Sequence, residues 1–589
     1  MQNNRLLIVA EKASVARAIK SVVAAAKIDA VVVSVRGHMM EAEFPQGYEW
    51  GAIHPLEIIK LRTVVDKVSD FSAYRTLTKV FSEDGVLVVA TDNDSEGELI
   101  GYEVLETFRK IRGDGAGCLR MRFNSVDRRE LFASIRNLEK GLNMRWVEKA
   151  RFRQVFDLIT GAAFTRLLTE STRRKKPVRL ISWGSCQTPT LNFVFEREKE
   201  ILGFKPQKYW TIVATLRTER NEEFKAMSEI FWDEKISEKA FAEVEPVKEA
   251  VVSSYSEMEK KVVRPLPMRT DDVLRDLTRL TRLPASKILG LMEQLYAEGY
   301  ISYPRTDTNR YRKSFDFETP FKAATGHAAL KQRASATTTP NPRNGSRDDG
   351  AHPPIYPVKT YQGSGILMNI WEYIARRFYA NAFFEDAVQQ IQSAEIKIAN
   401  LSLKAGGNRV VSAGFYQVFH YFMPADNPIP VLSTGEKLKV VKVERVENET
   451  KPPTRLTEAD LLRLMEKHGI GTDATRATYP QLIVDRQYAV REGRRFKPTP
   501  LGMALIESLA ETDPRLVTAE TRRMVEDYMT KIERGEASLD ESLEKSLQLY
   551  EELLKRCNTK IDEISSRLAQ SIHSIQPPKR YVKSMSKKR

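Results

Sequence analysis

The chain has 589 residues, 42% of them hydrophobic, which suffices for several folded units, and about three to five domains are expected. Its 93 Lys and Arg against 78 Asp and Glu give a formal charge of +15, which favours a polyanionic partner, nucleic acid first, through counterion release. No long apolar run and no secretory leader are present, so a soluble intracellular protein without membrane association is expected; Cys118, Cys186 and Cys557 form no CxxC pair, which excludes a local zinc ribbon or disulfide framework and leaves oxygen ligands for any metal.

In chain order, Leu6 to Ala10 reads as a buried strand that ends at Glu11 and passes into a helix carrying Val15, Ile19, Val22 and Val23. A second junction of the same kind follows: Val86 to Ala90 is an apolar strand, TDNDSEGE the turn, and Leu99 to Phe108 a helix. Two such units predict an α/β layer with a parallel sheet, whose ligands gather at the strand ends that hold Glu11, Asp92 and Asp94.

Two later segments share an order of helix, tight turn, helix and hairpin, one from Thr270 to about residue 309 and one from Leu456 to about residue 500, and each reads as a winged helix-turn-helix or an ordinary helical hairpin. In the first, Ile288, Met292 and Leu295 form one apolar face, Gly299 ends the helix and YISY starts a strand. Residues rich in β-branched side chains around 209–216 and 386–445 suggest one β-rich region interrupted by the helical part between them. The stretch 334–350 is the most loop-like internal segment, and the basic, proline-containing end from Gln576 reads as a disordered tail.

The turn packs Asp92, Asp94, Glu96 and Glu98 into seven residues, a density that is costly without a neutralising cation. Hard oxygen donors of this kind suit Mg²⁺, which takes one or two carboxylates, keeps waters and meets a phosphate; Glu11, Asp92, Asp94 and Glu96 are the candidate ligands, against the plainer reading of a solvated acidic loop.

A strand-end Glu followed by a strand-end DxDxE resembles the Toprim fold of topoisomerases, bacterial-type primases and certain nucleases. GYISYPRTDT, from Gly299 to Thr308, closely resembles the active-site segment of type IA topoisomerases, in which the tyrosine before Pro-Arg-Thr is the nucleophile. Further resemblances extend from residue 6 to about 500: VRGHMME with His38, RQVFDLITGAAFTR with Arg153, Asp157 and Arg166, SWGSCQTPTL with Ser182, Gln187 and Thr188, DDGAHPPIYP with His352, and LTEADLLRLMEKHGIGTDATRA with Thr475 and Arg476. AEKASVARAI, placing Lys12 beside Glu11, and SCQTP, with Ser185 where many bacterial members carry arginine, resemble the archaeal and eukaryotic topoisomerase III branch; Arg269, where relatives often have asparagine, is a second departure.

The resemblance implies a multidomain α/β plus α and β architecture: a Toprim domain over 1–150, a groove-forming helical and winged-helix domain over 151–205 and 450–575, a β-rich arch over 206–265 and 390–449 that closes a toroid, a catalytic-tyrosine winged-helix domain over 266–389, and a basic tail over 576–589. It implies Tyr303 as nucleophile, Arg305 and His352 on the phosphate, Glu11 and Lys12 exchanging a proton with the leaving oxygen, Mg²⁺ as cofactor, and His38, Arg153, Asp157, Arg166, Ser182, Gln187, Thr188, Thr475 and Arg476 along single-stranded DNA. Hinges near 260–270 and 385–395 would let the tyrosine domain lift. A monomer is expected, in cytoplasm or nucleus according to source; some relatives also act on RNA, and eukaryotic ones work with OB-fold partners. Rivals are a DNA-binding scaffold without activity and a Toprim nuclease or primase; a reverse gyrase is excluded, as no GxxxxGK[ST] loop precedes the first strand.

Overall fold

A computed structural model of the protein describes residues 5–331, 337, 339–472 and 475–572. The chain divides into two compact units, one formed by residues up to Glu198, Leu274–Gly290 and residues from Arg455 on, the other by Lys199–Val273 and Leu291–Thr454.

The first unit opens with a five-stranded sheet in the order Ala30–Ser34, Leu6–Ala10, Val86–Ala90, Cys118–Arg120, Glu139–Lys140, parallel except for the last pair. Central parallel strands are covered on both faces, which is why LLIVA and VLVVA are continuous apolar runs rather than alternating ones. Leu7, Val9, Leu87 and Val89 pack against Ile100, Val104, Leu105 and Phe108 of the helix Ser95–Arg112, which starts a turn earlier than its apolar face because Asp94 caps it. The helix Met144–Arg173, 30 residues long and hence about 45 Å, runs through a second core. Its Phe156 meets Tyr550 edge-on at 5.1 Å and its Phe164 stacks on Trp183 at 4.3 Å. In the same unit, Glu458–Lys467, closed by a Thr457–Asp460 capping box, is followed by Tyr479–Asp485 and a hairpin of Ala489–Glu492 with Arg495–Pro498.

The second unit contains a closed barrel of six strands in the order Glu249–Val262, Ala387–Ile398, Leu401–Ser412, Glu223–Ser228, Lys208–Arg217, Lys437–Glu449. Alternate residues such as Ile212, Ala214 and Leu216 point into its core. The chain leaves the barrel after Val262 and returns at Ala387, and these two residues are register partners. The excursion holds Tyr303 and the buried helix Gly365–Phe383.

Some expectations change. YISY is not a strand: Ile301 makes one isolated bridge to Pro357, and Ser302 N–H donates to Tyr356 O at 3.0 Å, so the first helical pair, Thr270–Thr281 and Ala285–Ala297, lacks the regular hairpin. Pro304, without an N–H, and the bend around it stop a ladder from extending. The second expected hinge, 385–395, falls mostly inside the strand Ala387–Ile398, paired along its length on both sides. The loop-like stretch 334–350 lies partly outside the described residues, and its described part has neither helix nor strand; the basic tail 576–589 lies outside them. No helix among the described residues is long and apolar enough to cross a membrane.

Candidate active site

Parallel pairing in register, from Leu6 with Val86 to Ala10 with Ala90, delivers the residues after both strands side by side. Glu11 therefore meets the acidic turn, accepting the Asp92 N–H at 3.2 Å, and the Lys12 ammonium lies 2.5 Å from Asp92 and 3.6 Å from Glu11. Burial first, and then the charge of Asp92, push the Glu11 carboxyl up to about 7 against the pull of Lys12. Asp94 accepts the Gly97 N–H at 2.7 Å as the helix cap. A Cβ on Gly97 would stand 2.1 Å from the Asp92 carbonyl oxygen, so only glycine allows the turn to close on the helix.

The four acids do not form one cluster. Glu96 is held by Arg153 and, at 3.1 Å, by His38; burial would raise its carboxyl, but these cations keep it below the usual range. His38 Nδ1 donates to Glu103 at 2.6 Å, and although burial opposes it, the bonds to Glu103 and Glu96 lift the imidazole to about 10, so it is a cation at neutral pH. Glu98, fully buried, pairs with the equally buried Arg120 at 2.8 Å and with Arg122 at 2.9 Å. Arg120 also donates to the carbonyls of Thr91 at 2.9 Å and Asp92 at 2.8 Å, bracing the turn from beneath. Much of the acidic density is thus neutralised by the protein's own cations, with Glu96 engaged by Arg153 and His38. Among the described residues no group of three or more His, Cys, Asp or Glu is arranged to hold a metal ion. Glu11 accepts the Asp92 N–H and Asp94 follows two residues on, so this strand end offers the one or two carboxylates that Mg²⁺ takes together with waters.

The groove segments hold together through their own polar network. Asp157 accepts from Ser185 Oγ at 3.2 Å and from Arg522 Nη1 at 2.9 Å; Arg522, 1% exposed, also donates to Ser185 at 2.9 Å. A guanidinium from another helix, Glu520–Arg534, therefore stands beside Ser185. Ser182, Gln187 and Thr188 are buried, with Ser182 and Gln187 bonded to each other at 3.2 Å and Gly184 N–H donating to Thr188 at 3.4 Å, so they shape the turn. Arg166 donates to the carbonyls of Tyr48 at 2.7 Å and Glu49 at 3.1 Å, and Arg476 to those of Ile470 at 3.1 Å and Gly471 at 2.7 Å; both brace loops. Thr475 accepts the Thr472 N–H at 3.1 Å. Arg522→Ala should take the guanidinium from Asp157, Ser185 and Glu526 and leave only the Ser185–Asp157 bond; since Asp157 is partly exposed, the expected loss is about 1–3 kcal/mol in denaturant unfolding, partly recovered by adding Ser185→Arg. An unchanged midpoint would show that the Arg522 network is dispensable.

In the second unit Tyr303 is 4% exposed, its ring edge-on to Tyr296 at 5.2 Å and tilted against His352 at 4.9 Å. His352 Nδ1 lies 3.1 Å from Asp349, which also takes the N–H groups of Ala351 and His352 and the Thr306 hydroxyl at 2.9, 2.8 and 3.1 Å. Burial would raise the Asp349 carboxyl, but these bonds and the His352 charge hold it far below the usual range. Arg305 donates through Nε to Glu293 at 2.8 Å. Arg269 bonds Asp272 at 3.1 and 3.0 Å and Asp307 at 2.9 Å, so it acts as a brace. Tyr303, Arg305 and His352 thus gather in one unit and Glu11, Lys12, Asp92 and Asp94 in the other. Sequence reasoning missed Asp349, Glu293, Glu103, Arg120 and Arg522; the only signal for Asp349 was its place just before His352.

A family model described as DNA topoisomerase matches residues 141–544, and one described as Toprim domain matches residues 6–126. DNA topoisomerase 1 of Thermoplasma acidophilum is 32% identical over 551 residues, covering 92% of this chain and 70% of that protein. Human DNA topoisomerase 3-beta-1 is 32% identical over 546 residues (88% of this chain, 62% of that protein), and human DNA topoisomerase 3-alpha is 31% identical over 560 (92% and 55%). The chain thus spans little more than half to two thirds of the human relatives. Full-length topoisomerase I from Thermotoga maritima shares the fold with a TM-score of 0.76 at 22% identity, over 93% of this chain and 90% of that one.

Proposed function

This chain belongs to the type IA DNA topoisomerase family, with relatives of the topoisomerase III kind, and from that membership we propose that it cuts, passes and rejoins single DNA strands through Tyr303. The observation that carries the proposal is the setting of Tyr303, a phenol buried against the His352–Asp349 pair within a chain that also holds a Toprim acidic turn.

The Tyr303 oxygen, releasing its proton to solvent, attacks the scissile phosphorus, a 5′-phosphotyrosyl bond forms, and the bond from phosphorus to the 3′-oxygen breaks. A phenol with an ordinary pKa of about 10 is a weak nucleophile, so charge gathering on the phosphate must be met by donors: the Arg305 fork and the His352 imidazole, which Asp349 orients. The departing 3′-oxygen takes a proton from the Glu11 and Lys12 pair, whose carboxyl sits near 7 and can hold or release it around neutrality. Rejoining is the reverse, with the 3′-hydroxyl giving up its proton and Tyr303 leaving, so the ester conserves the bond energy and no nucleotide cofactor is needed. Mg²⁺ held by Asp92 and Asp94 beside Glu11 would supply positive charge that steadies the broken end. His38, Arg153 and Asp157 line the path of the strand, while Arg166, Ser182, Gln187, Thr188, Thr475 and Arg476 keep its walls in shape. The second helical pair, with its hairpin Ala489–Glu492 and Arg495–Pro498, acts as a winged-helix element.

An oligonucleotide labelled at either end and stopped with denaturant tests this. The 3′-labelled fragment should become covalently attached to protein, and the 5′-labelled fragment should be released with a free 3′-hydroxyl. Attachment of the 5′-labelled fragment would overturn the assigned polarity.

A further inference from the structure

A cavity of about 620 Å³ lies between the corner joining the helices Thr270–Thr281 and Ala285–Ala297 and the second helical pair with its hairpin, and its lining residues all belong to the first unit. Four arginines line it: Arg279 and Arg282 from the corner, Arg491 and Arg494 from the hairpin. Two acids, Glu458 and Asp460, face them, and both are already engaged. Glu458 accepts the Ala285 N–H at 2.7 Å and Arg491 at 2.8 Å, tying corner to hairpin, and Asp460 closes the capping box with Thr457. Arg282 and Arg494 are exposed, and among the described residues they form no ion pair and no side-chain hydrogen bond. Arg282 holds a φ of +63°, a conformation that a residue other than glycine seldom adopts, and Gly493 at +62° turns the hairpin tip that bears Arg494.

Guanidinium forks from two walls of a concave site suit phosphate oxygens. The lining has no aromatic ring on which a base could stack and no amide to read a base edge, so it fits backbone contact without sequence readout. We infer that this cavity binds the backbone phosphates of a nucleic-acid strand outside the cleavage centre. The inference rests on the strand-cleavage reading and deepens it by assigning a second place where the strand is held. An occupant there touches both the corner, continuous in sequence with the Tyr303 segment, and the hairpin.

The test compares the full chain with the double variant Arg282→Ala/Arg494→Ala. An extended single strand should bind the variant roughly tenfold more weakly, with a slope of log K against log salt shallower by about 1, as expected for lost phosphate contacts on single strands. A short oligonucleotide covering only the cleavage segment should be cut at the wild-type rate. Equal affinity and equal slope for the extended strand would overturn the inference. Calorimetry with inorganic tripolyphosphate separates the sources of phosphate: binding lost in the variant together with weaker strand binding supports the assignment, whereas binding lost with strand affinity unchanged overturns it in favour of a free-anion site. Should the wild type form no covalent adduct while the arginine pair still sets strand affinity, the cleavage reading fails and this site stands.

Discussion

Tyr303→Phe should abolish plasmid relaxation and the covalent DNA adduct while leaving the fold and strand binding in place. The variant removes one oxygen and keeps the ring, so the contacts with Tyr296 and His352 remain and thermal unfolding should shift by no more than about 1 kcal/mol. Chemistry has no second route: without the phenol no phosphotyrosyl ester forms, and the loss should match removal of the nucleophile in other covalent enzymes, at least about 10⁴-fold. The measurement is relaxation of negatively supercoiled plasmid with Mg²⁺ and without ATP, resolved into topoisomers for both proteins. Relaxation by the phenylalanine variant would mean that another tyrosine is the nucleophile; inactivity of both under varied salt and temperature would favour a binding scaffold.

The second large effect is expected at Arg120, away from any substrate. Its guanidinium, fully buried, serves Glu98 and the carbonyls of Val89, Thr91, Asp92 and Met121. Arg120→Met leaves Glu98 in the interior with only Arg122 and the Asn143 N–H, and removing one partner of a buried ion pair costs about 3–5 kcal/mol. Lysine would not rescue it, because a point charge cannot span the fork of carbonyls. The double variant Arg120→Met/Glu98→Leu should recover much of the stability, since the orphaned carboxylate is gone, yet not the activity, since the Thr91 and Asp92 carbonyls still lack their brace. Denaturant midpoints and relaxation assays on the same samples separate the two. A loss below about 1 kcal/mol for the single variant would remove Arg120 from the framework of the turn.

How much of this was legible before the structure depended on the dimension in which each signal lives. Apolar runs such as Leu6–Ala10 and Val86–Ala90 announce buried strands because burial on both faces acts residue by residue. The acidic turn misleads in the same one-dimensional reading: Glu96 and Glu98 are neighbours in sequence, but two residues of helix turn them about 200° apart, one to His38 and Arg153, the other to Arg120. YISY has the β-branched and aromatic residues of a strand, yet only its second residue finds a bridge partner, because pairing depends on residues 355–357 far along the chain. Polar Ser182, Gln187 and Thr188 read as groove surface and are interior, since each finds its partner within the turn. Arg120 carried no local mark, as its acid Glu98 stands 22 positions away, and the i,i+4 spacing of Arg522 and Glu526 gave no sign of Asp157, 365 positions away.

The pairing of Val262 with Ala387 has a wider meaning. To the barrel, everything between those residues is the loop of an ordinary hairpin, because chain exit and chain return sit within one cross-strand spacing, about 5 Å. Closure entropy rises only with the logarithm of loop length, so the strands gain little from a short link and lose little from a very long one. The part of the chain bearing Tyr303 can therefore be lengthened, exchanged or removed in the course of descent without asking the strands to find new partners.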